Sequence, residues 1–126
     1  MNWTATAAIL LGLGVMLGAF GAHALRSRLD AYLISIYERA VFYHFIHALG
    51  LLIVSVLPRI GFLTESASTW VCALLLAGIV LFSGSLYVLA MTGVRTFGAI
   101  TPFGGVSFIA AWLYLAVALI GSARSR

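Results

Sequence analysis

Apolar residues fall into four long runs, about 3–25, 40–57, 70–91 and 102–121, separated by short connections that hold most of the charged side chains. Each run approaches the ~20 residues that cross a ~30 Å hydrocarbon core as α-helix. Apolar and polar positions do not alternate within the runs, which argues against a transmembrane barrel. Short connections make consecutive helices antiparallel neighbours. The pattern predicts an all-α fold: a single-domain, integral membrane, antiparallel four-helix bundle with no room for a soluble domain.

The breaks in the pattern predict how the helices start and touch. The stretch 26–39 holds Arg26, Arg28, Asp30, Glu38 and Arg39, interleaved with Leu29, Tyr32, Leu33, Ile34 and Ile36. It is too apolar for a solvated loop, so it reads as an interfacial helix or an early start to the second helix, with Asp30 as N-cap. Ser68 or Thr69 is expected to cap the third helix, and Thr101 the fourth, with Pro102 in its first turn. Gly14, Gly18 and Ala22 are spaced by four and form one face of small residues, for packing inside the bundle or for dimerisation. Gly84, Gly104 and Gly105 are read as further close-approach positions.

Composition changes the picture in one respect. With 63% hydrophobic and 8% charged residues and a mean hydropathy of +1.16, no soluble fold of 126 residues could hide its apolar surface, so the lipid bilayer must be the solvent. Met1–Thr6 has no basic stretch, and the following run exceeds the length of a signal-peptide core, so the first span is expected to be retained. Seven arginines, no lysine and a formal charge of +4 suit headgroups; scattered at helix ends, they form no stripe for nucleic acid. Arg59, Arg124 and Arg126 fall at the end carrying the termini, and Arg26, Arg28, Arg39 and Arg95 at the other. The number of arginines does not orient the chain. Both termini are placed in the cytoplasm because the first group lies clear of acidic neighbours in sequence. Cys72 is the sole cysteine, so no intrachain disulfide forms.

The candidate chemistry rests on three histidines, His23, His44 and His47, in or beside apolar runs where ionisable groups are costly. If the second helix starts near Ala40, His44 lies about 6 Å and His47 about 10 Å into it. Ala40, Tyr43, His44, His47 and Leu51 then share one stripe. With Ser83, Tyr87, Thr101 and Ser107 added, the polar residues all fall in one half of the bilayer. Three readings stay open: a hydrogen-bonded core, a proton-handling or ligand-binding pocket, and a metal or haem site using His23 with His44 or His47. Zinc would need more ligands than these. No carboxylate pair lies at membrane depth, Ser83-Gly84-Ser85 sits in a helix interior rather than on a nucleophile elbow, and no phosphate loop is present. No catalytic residue, metal or cofactor is therefore assigned. Substituting His23 or His47 by Ala is expected to cost about 1–3 kcal/mol.

A series of motifs runs through the chain: Gly18-Ala19-Phe20-Gly21-Ala22-His23-Ala24-Leu25, Tyr43 to Leu49, Leu81-Phe82-Ser83-Gly84-Ser85-Leu86-Tyr87, Thr101-Pro102-Phe103-Gly104-Gly105, and Trp112. The series resembles the small bacterial inner-membrane family known as domain of unknown function 423, and a small animal transmembrane protein is similar. The resemblance implies four spans and no characterised activity. It matches His23 and His47 to motif positions and leaves His44 as a variable one, favouring a two-helix pair over a chelate on one helix. The expected role is non-enzymatic, in membrane homeostasis or as an accessory to a larger membrane complex or homo-oligomer. The alternatives are a binding or transport protein with a half-membrane His/Tyr/Ser pocket for a quinone, lipid or small solute, and a haem- or metal-binding redox protein.

Overall fold

The computed structural model describes residues 1–125; Arg126, counted above with the terminal arginines, lies outside the described residues. The chain forms α1 (Trp3–Phe20), α2 (Ala31–Val56), α3 (Glu65–Gly78), α4 (Gly84–Thr92) and α5 (Thr101–Arg124). A wide π turn, Gly21–Leu25, extends α1, and another, Ile79–Ser83, joins α3 to α4 as one rod. The result is four helices long and apolar enough to cross a membrane: Trp3–Leu25, Ala31–Ile60, Glu65–Thr92 and Arg95–Arg124. No strand occurs among the described residues.

Local chemistry sets the helix ends. Asn2 caps α1 by accepting from the Ala5 N–H. Asp30 caps α2 by accepting from Leu33 N at 2.8 Å, as its place before the apolar run predicts. The 26–39 stretch is thus largely an early start of α2 and not a separate interfacial helix. Two expected caps are corrected. Thr64, not Ser68 or Thr69, caps α3 by accepting from Ala67 N, since α3 starts at Glu65 while the apolar run begins later. Thr101 does not cap α5: Ile100 is the flanking residue and makes no side-chain cap. Gly93 ends α4 with φ 71°, a left-handed turn that glycine adopts without a Cβ penalty.

The helices do not share the core equally. Windows in the α2 and α3–α4 spans are 39% and 44% buried, against 17% for both the α1 and the α5 spans. α1 packs chiefly on α2, and α5 chiefly on α3. The inner pair is therefore α2 with α3–α4, and the outer helices turn broad apolar faces to lipid. Two apolar clusters lie along the inner pair. One gathers Leu51, Val54, Val71, Cys72, Leu75 and Ile79 with Ala7 and Phe108. The other gathers Leu25, Ile36, Tyr37, Ala40, Leu86 and Leu89. Between them, on α2 and at the second π turn, sits the polar layer that holds His44, His47 and Ser83.

Candidate functional site

The early start of α2 relocates its histidines. His44 lies thirteen residues beyond Ala31, which is ~20 Å at 1.5 Å per residue. It stands near the middle of the Ala31–Ile60 span and not ~6 Å inside one face. Ala40, His44, His47 and Leu51 are all buried on one stripe of that helix, with Tyr43 half-buried beside them and Glu38 exposed.

His44 is held from two sides. Its Nε2 lies 2.7 Å from the Leu10 carbonyl on α1 and its Nδ1 lies 3.0 Å from the Tyr87 hydroxyl on α4. A carbonyl only accepts, so Nε2 carries the proton and donates to Leu10; in the neutral ring Nδ1 then accepts from Tyr87. Both nitrogens are used, and three helices are joined through one ring. Tyr37 reinforces the α1–α2 seam by donating to the Leu17 carbonyl and packs edge-on to Tyr87, with centroids 5.3 Å apart.

His47 is held differently. Its Nδ1 donates to the Tyr43 carbonyl one turn back at 2.8 Å, and its ring stacks on Phe108 of α5 at 3.5 Å and 12°. Tyr43, Phe82 and Trp112 complete an aromatic layer around it. Two glycines make room. A Cβ at Gly78 would enter the Phe108 ring, and one at Gly50 would come within 2.7 Å of Trp112. These residues were missed by sequence reading, because the fit depends on partners from distant helices.

The small hydroxyls complete the layer by donating to carbonyls of neighbouring helices. Ser83 reaches the Ala40 carbonyl at 2.8 Å, Ser107 the Leu74 carbonyl at 2.7 Å, and Ser68 the Val54 carbonyl at 3.0 Å. Thr101 bonds Ser85 at 2.6 Å. Thr4 bonds Ser55 at the opposite end, so polar contacts run through the full thickness instead of filling one half. Among the described residues no buried side-chain nitrogen or oxygen lacks a hydrogen-bond partner.

A family model described as "Protein of unknown function (DUF423)" matches residues 17–105. The chain belongs to the DUF423 family. Among its relatives, a UPF0382 membrane protein of Staphylococcus saprophyticus is 49% identical over 100 residues, covering 79% of this chain and 81% of the relative. One of Bacillus subtilis is 46% identical over 112 residues, covering 86% and 87%. No solved structure matches. This DUF423 chain is accordingly a multi-pass membrane protein of an uncharacterised family.

The geometry separates the histidines of this DUF423 chain. His23, on the first π turn, is exposed and forms no hydrogen bond to a described residue. Leu10, which His44 grips, is thirteen residues away on the same rod, or ~20 Å. The pairing of His23 with His47, and the haem reading built on His23 with His44, are thus corrected: the π turn leaves His23 at the surface, and His44 has no free ring nitrogen. Among the described residues no three His, Cys, Asp or Glu side chains gather as a ligand set.

The small-residue positions divide too. A Cβ at Gly14 would meet the Phe45 ring at 3.2 Å, one at Gly18 the Val41 methyl at 3.6 Å, and one at Gly104 would strike the Phe82 backbone. Ala22, however, is exposed, and its neighbour Gly21 takes the contact with Tyr37. Gly84 and Gly105 have no close neighbour: the nearest atoms are the Ile79 carbonyl at 4.0 Å and Phe82 Cδ2 at 3.9 Å. None of the grooves is lined by His44 or His47. One of about 200 Å³ runs beside Gly18, Gly21 and Tyr37, closed by an ion pair of Arg26 with Glu38 at 3.1 Å. Another of about 240 Å³ holds Arg59 beside Glu65, so Arg59 is closer to an acidic group than its sequence neighbours imply.

Proposed function

We propose that the protein works without catalysis of its own, as an accessory component of a larger assembly in the bacterial inner membrane. The observation that carries this reading is that, among the described residues, no fully buried side-chain nitrogen or oxygen lacks a hydrogen-bond partner. Catalytic and transport sites keep polar groups open toward a cavity; here His44, Ser83 and Ser107 are spent on holding helices together. The outer spans meanwhile leave broad apolar surface open. Phe103, Val106, Ile109, Leu113, Val117 and Ile120 are each more than half exposed along α5, and Ile9, Val15 and Met16 are likewise along α1. These broad faces on the two outer spans are open to lipid, and they are the surface left for a neighbouring subunit to pack on in competition with it.

We also infer that both termini, at the end that carries Arg59 and Arg124, face the cytoplasm. A reporter fused to the carboxyl terminus that works only outside the cytoplasm would reverse this orientation. The test of the accessory reading is native mass spectrometry of the protein released from membrane nanodiscs prepared directly from cells. The expected result is a mass that includes at least one further polypeptide. A bare monomer mass overturns it. A monomer that carries a tightly held small molecule other than a phospholipid would favour the binding or transport reading instead.

A further inference from the structure

The geometry points to a bound anionic phospholipid in a groove of about 610 Å³ between α2, α4 and the start of α5. The groove wall is apolar through Ile36, Phe82, Leu86 and Leu89, and two guanidinium groups attend it. Arg39 lines it directly. Arg95 sits over Tyr32, another lining residue, with its guanidinium carbon 5.3 Å from the ring centroid.

Two observations identify the occupant. The first is depth. Arg39 is eight residues beyond Ala31, the first of α2, so its Cα lies ~12 Å below the helix start. It is level with Ser83, which bonds the adjacent Ala40 carbonyl. The Ala31–Ile60 span is ~45 Å long against a ~30 Å hydrocarbon core, so Arg39 starts just inside the core and its stem carries the guanidinium to headgroup level, where a counter-charge would hold it. The second is the missing counter-charge. Glu38 is taken by Arg26, Asp30 caps α2, and neither Arg39 nor Arg95 has a carboxylate partner among the described residues. An anionic headgroup supplies the charge and two phosphate oxygens that can accept from the planar guanidinium fork. Its acyl chain runs along the half-buried Phe82 ring, beside Ile36, Leu86 and Leu89, which are buried already. Stacking on Tyr32 holds the Arg95 guanidinium at the rim. A free phosphate would satisfy the arginines but would not extend along Phe82.

The site is independent of the accessory reading: a chain with no protein partner keeps its lipid. The test is native mass spectrometry from nanodiscs of equal parts palmitoyl-oleoyl phosphatidylglycerol and phosphatidylcholine. Phosphatidylglycerol adducts should persist over phosphatidylcholine adducts. In the double variant Arg39→Gln, Arg95→Gln the ratio of bound to free protein should fall about tenfold or more, each arginine near a membrane surface contributing on the order of 1 kcal/mol. The double variant Arg59→Gln, Arg124→Gln, which removes the same charge at the other end, should keep its adducts. Both pairs are exposed, so helical content measured by circular dichroism should match the parent. Equal retention of both lipids overturns the site, as does equal loss in both variants. Displacement of the lipid by millimolar inorganic phosphate also overturns it, in favour of a free-anion site.

Discussion

Replacing Tyr87 by Phe removes one hydroxyl and leaves His44 Nδ1 without its donor. The ring still holds the Leu10 carbonyl, so the expected loss is about 1 kcal/mol of unfolding free energy. His44→Ala should cost more, about 2–4 kcal/mol, because it opens a cavity among three helices. His23→Ala should fall within about 0.5 kcal/mol of the parent, because the side chain is exposed. Reversible unfolding in bicelles checks all three, and a His23 effect as large as that of His44 would contradict the geometry. Glycines give a second contrast. Gly104→Ala should destabilise by about 1–3 kcal/mol, since its Cβ would meet Phe82 backbone, which cannot rotate aside. Gly84→Ala should be neutral or stabilise by up to about 1 kcal/mol, since it adds helix propensity in open space. A thermal midpoint lowered equally by both would refute the distinction. Residue type made both sets visible in sequence, as histidines and glycines in apolar runs. It did not show direction: whether Gly84 meets a neighbour, or His23 turns inward, depends on helix rotation, which the two π turns alter.

At the scale of elements, four spans and their order were legible because apolar run length alone decides them. The start of α2 was less so. Glu38, Arg39 and Arg26 make 26–39 look like a connection, yet Asp30 caps a helix that passes straight through. Two exposed charged side chains on one face do not stop a helix whose other face buries Ile36, Tyr37 and Ala40. That early start moves His44 to mid-span and spreads a supposed half-membrane cluster into a layer. The π turn at Ile79–Ser83 had no sequence signature, since nothing in Ile79-Val80-Leu81-Phe82-Ser83 differs from an ordinary apolar helix. Its effect is nonetheless testable. The wide turn absorbs one extra residue while Ser83 meets Ala40 and Tyr87 meets His44. Deleting Val80, an exposed residue of the turn, removes the extra residue together with the wide turn, so ordinary α winding should leave α4 facing nearly the same way. Both bonds should then survive. The deletion should destabilise less than Ser83→Ala and Tyr87→Phe combined; an equal or larger effect would show that the wide turn does more than absorb one residue.

For the whole molecule, unequal burial of the spans matters more than the polar layer. α2 and α3–α4 bury their stripes against each other, whereas α1 and α5 have one packed side and one free. If the free sides only met lipid, proximity probes placed on them would find no protein. If they seat the chain in an assembly, the probes would find it on these faces and not on the inner pair. Cys72 is fully buried, so it competes little with an introduced thiol. Single variants Met16→Cys on α1 and Val117→Cys on α5 put a thiol on open positions, about 60% and 67% exposed. Ile53→Cys and Val80→Cys serve as outward positions on the inner helices, at 53% and 59%. The similar exposure matters, because it makes labelling equal and leaves only proximity to differ. A thiol-linked photocrosslinker in native membranes should give products above the monomer mass from position 117 or 16, and little from 53 and 80. Products at all four positions alike would mean random collision in the bilayer, and none at any would leave the outer faces to lipid.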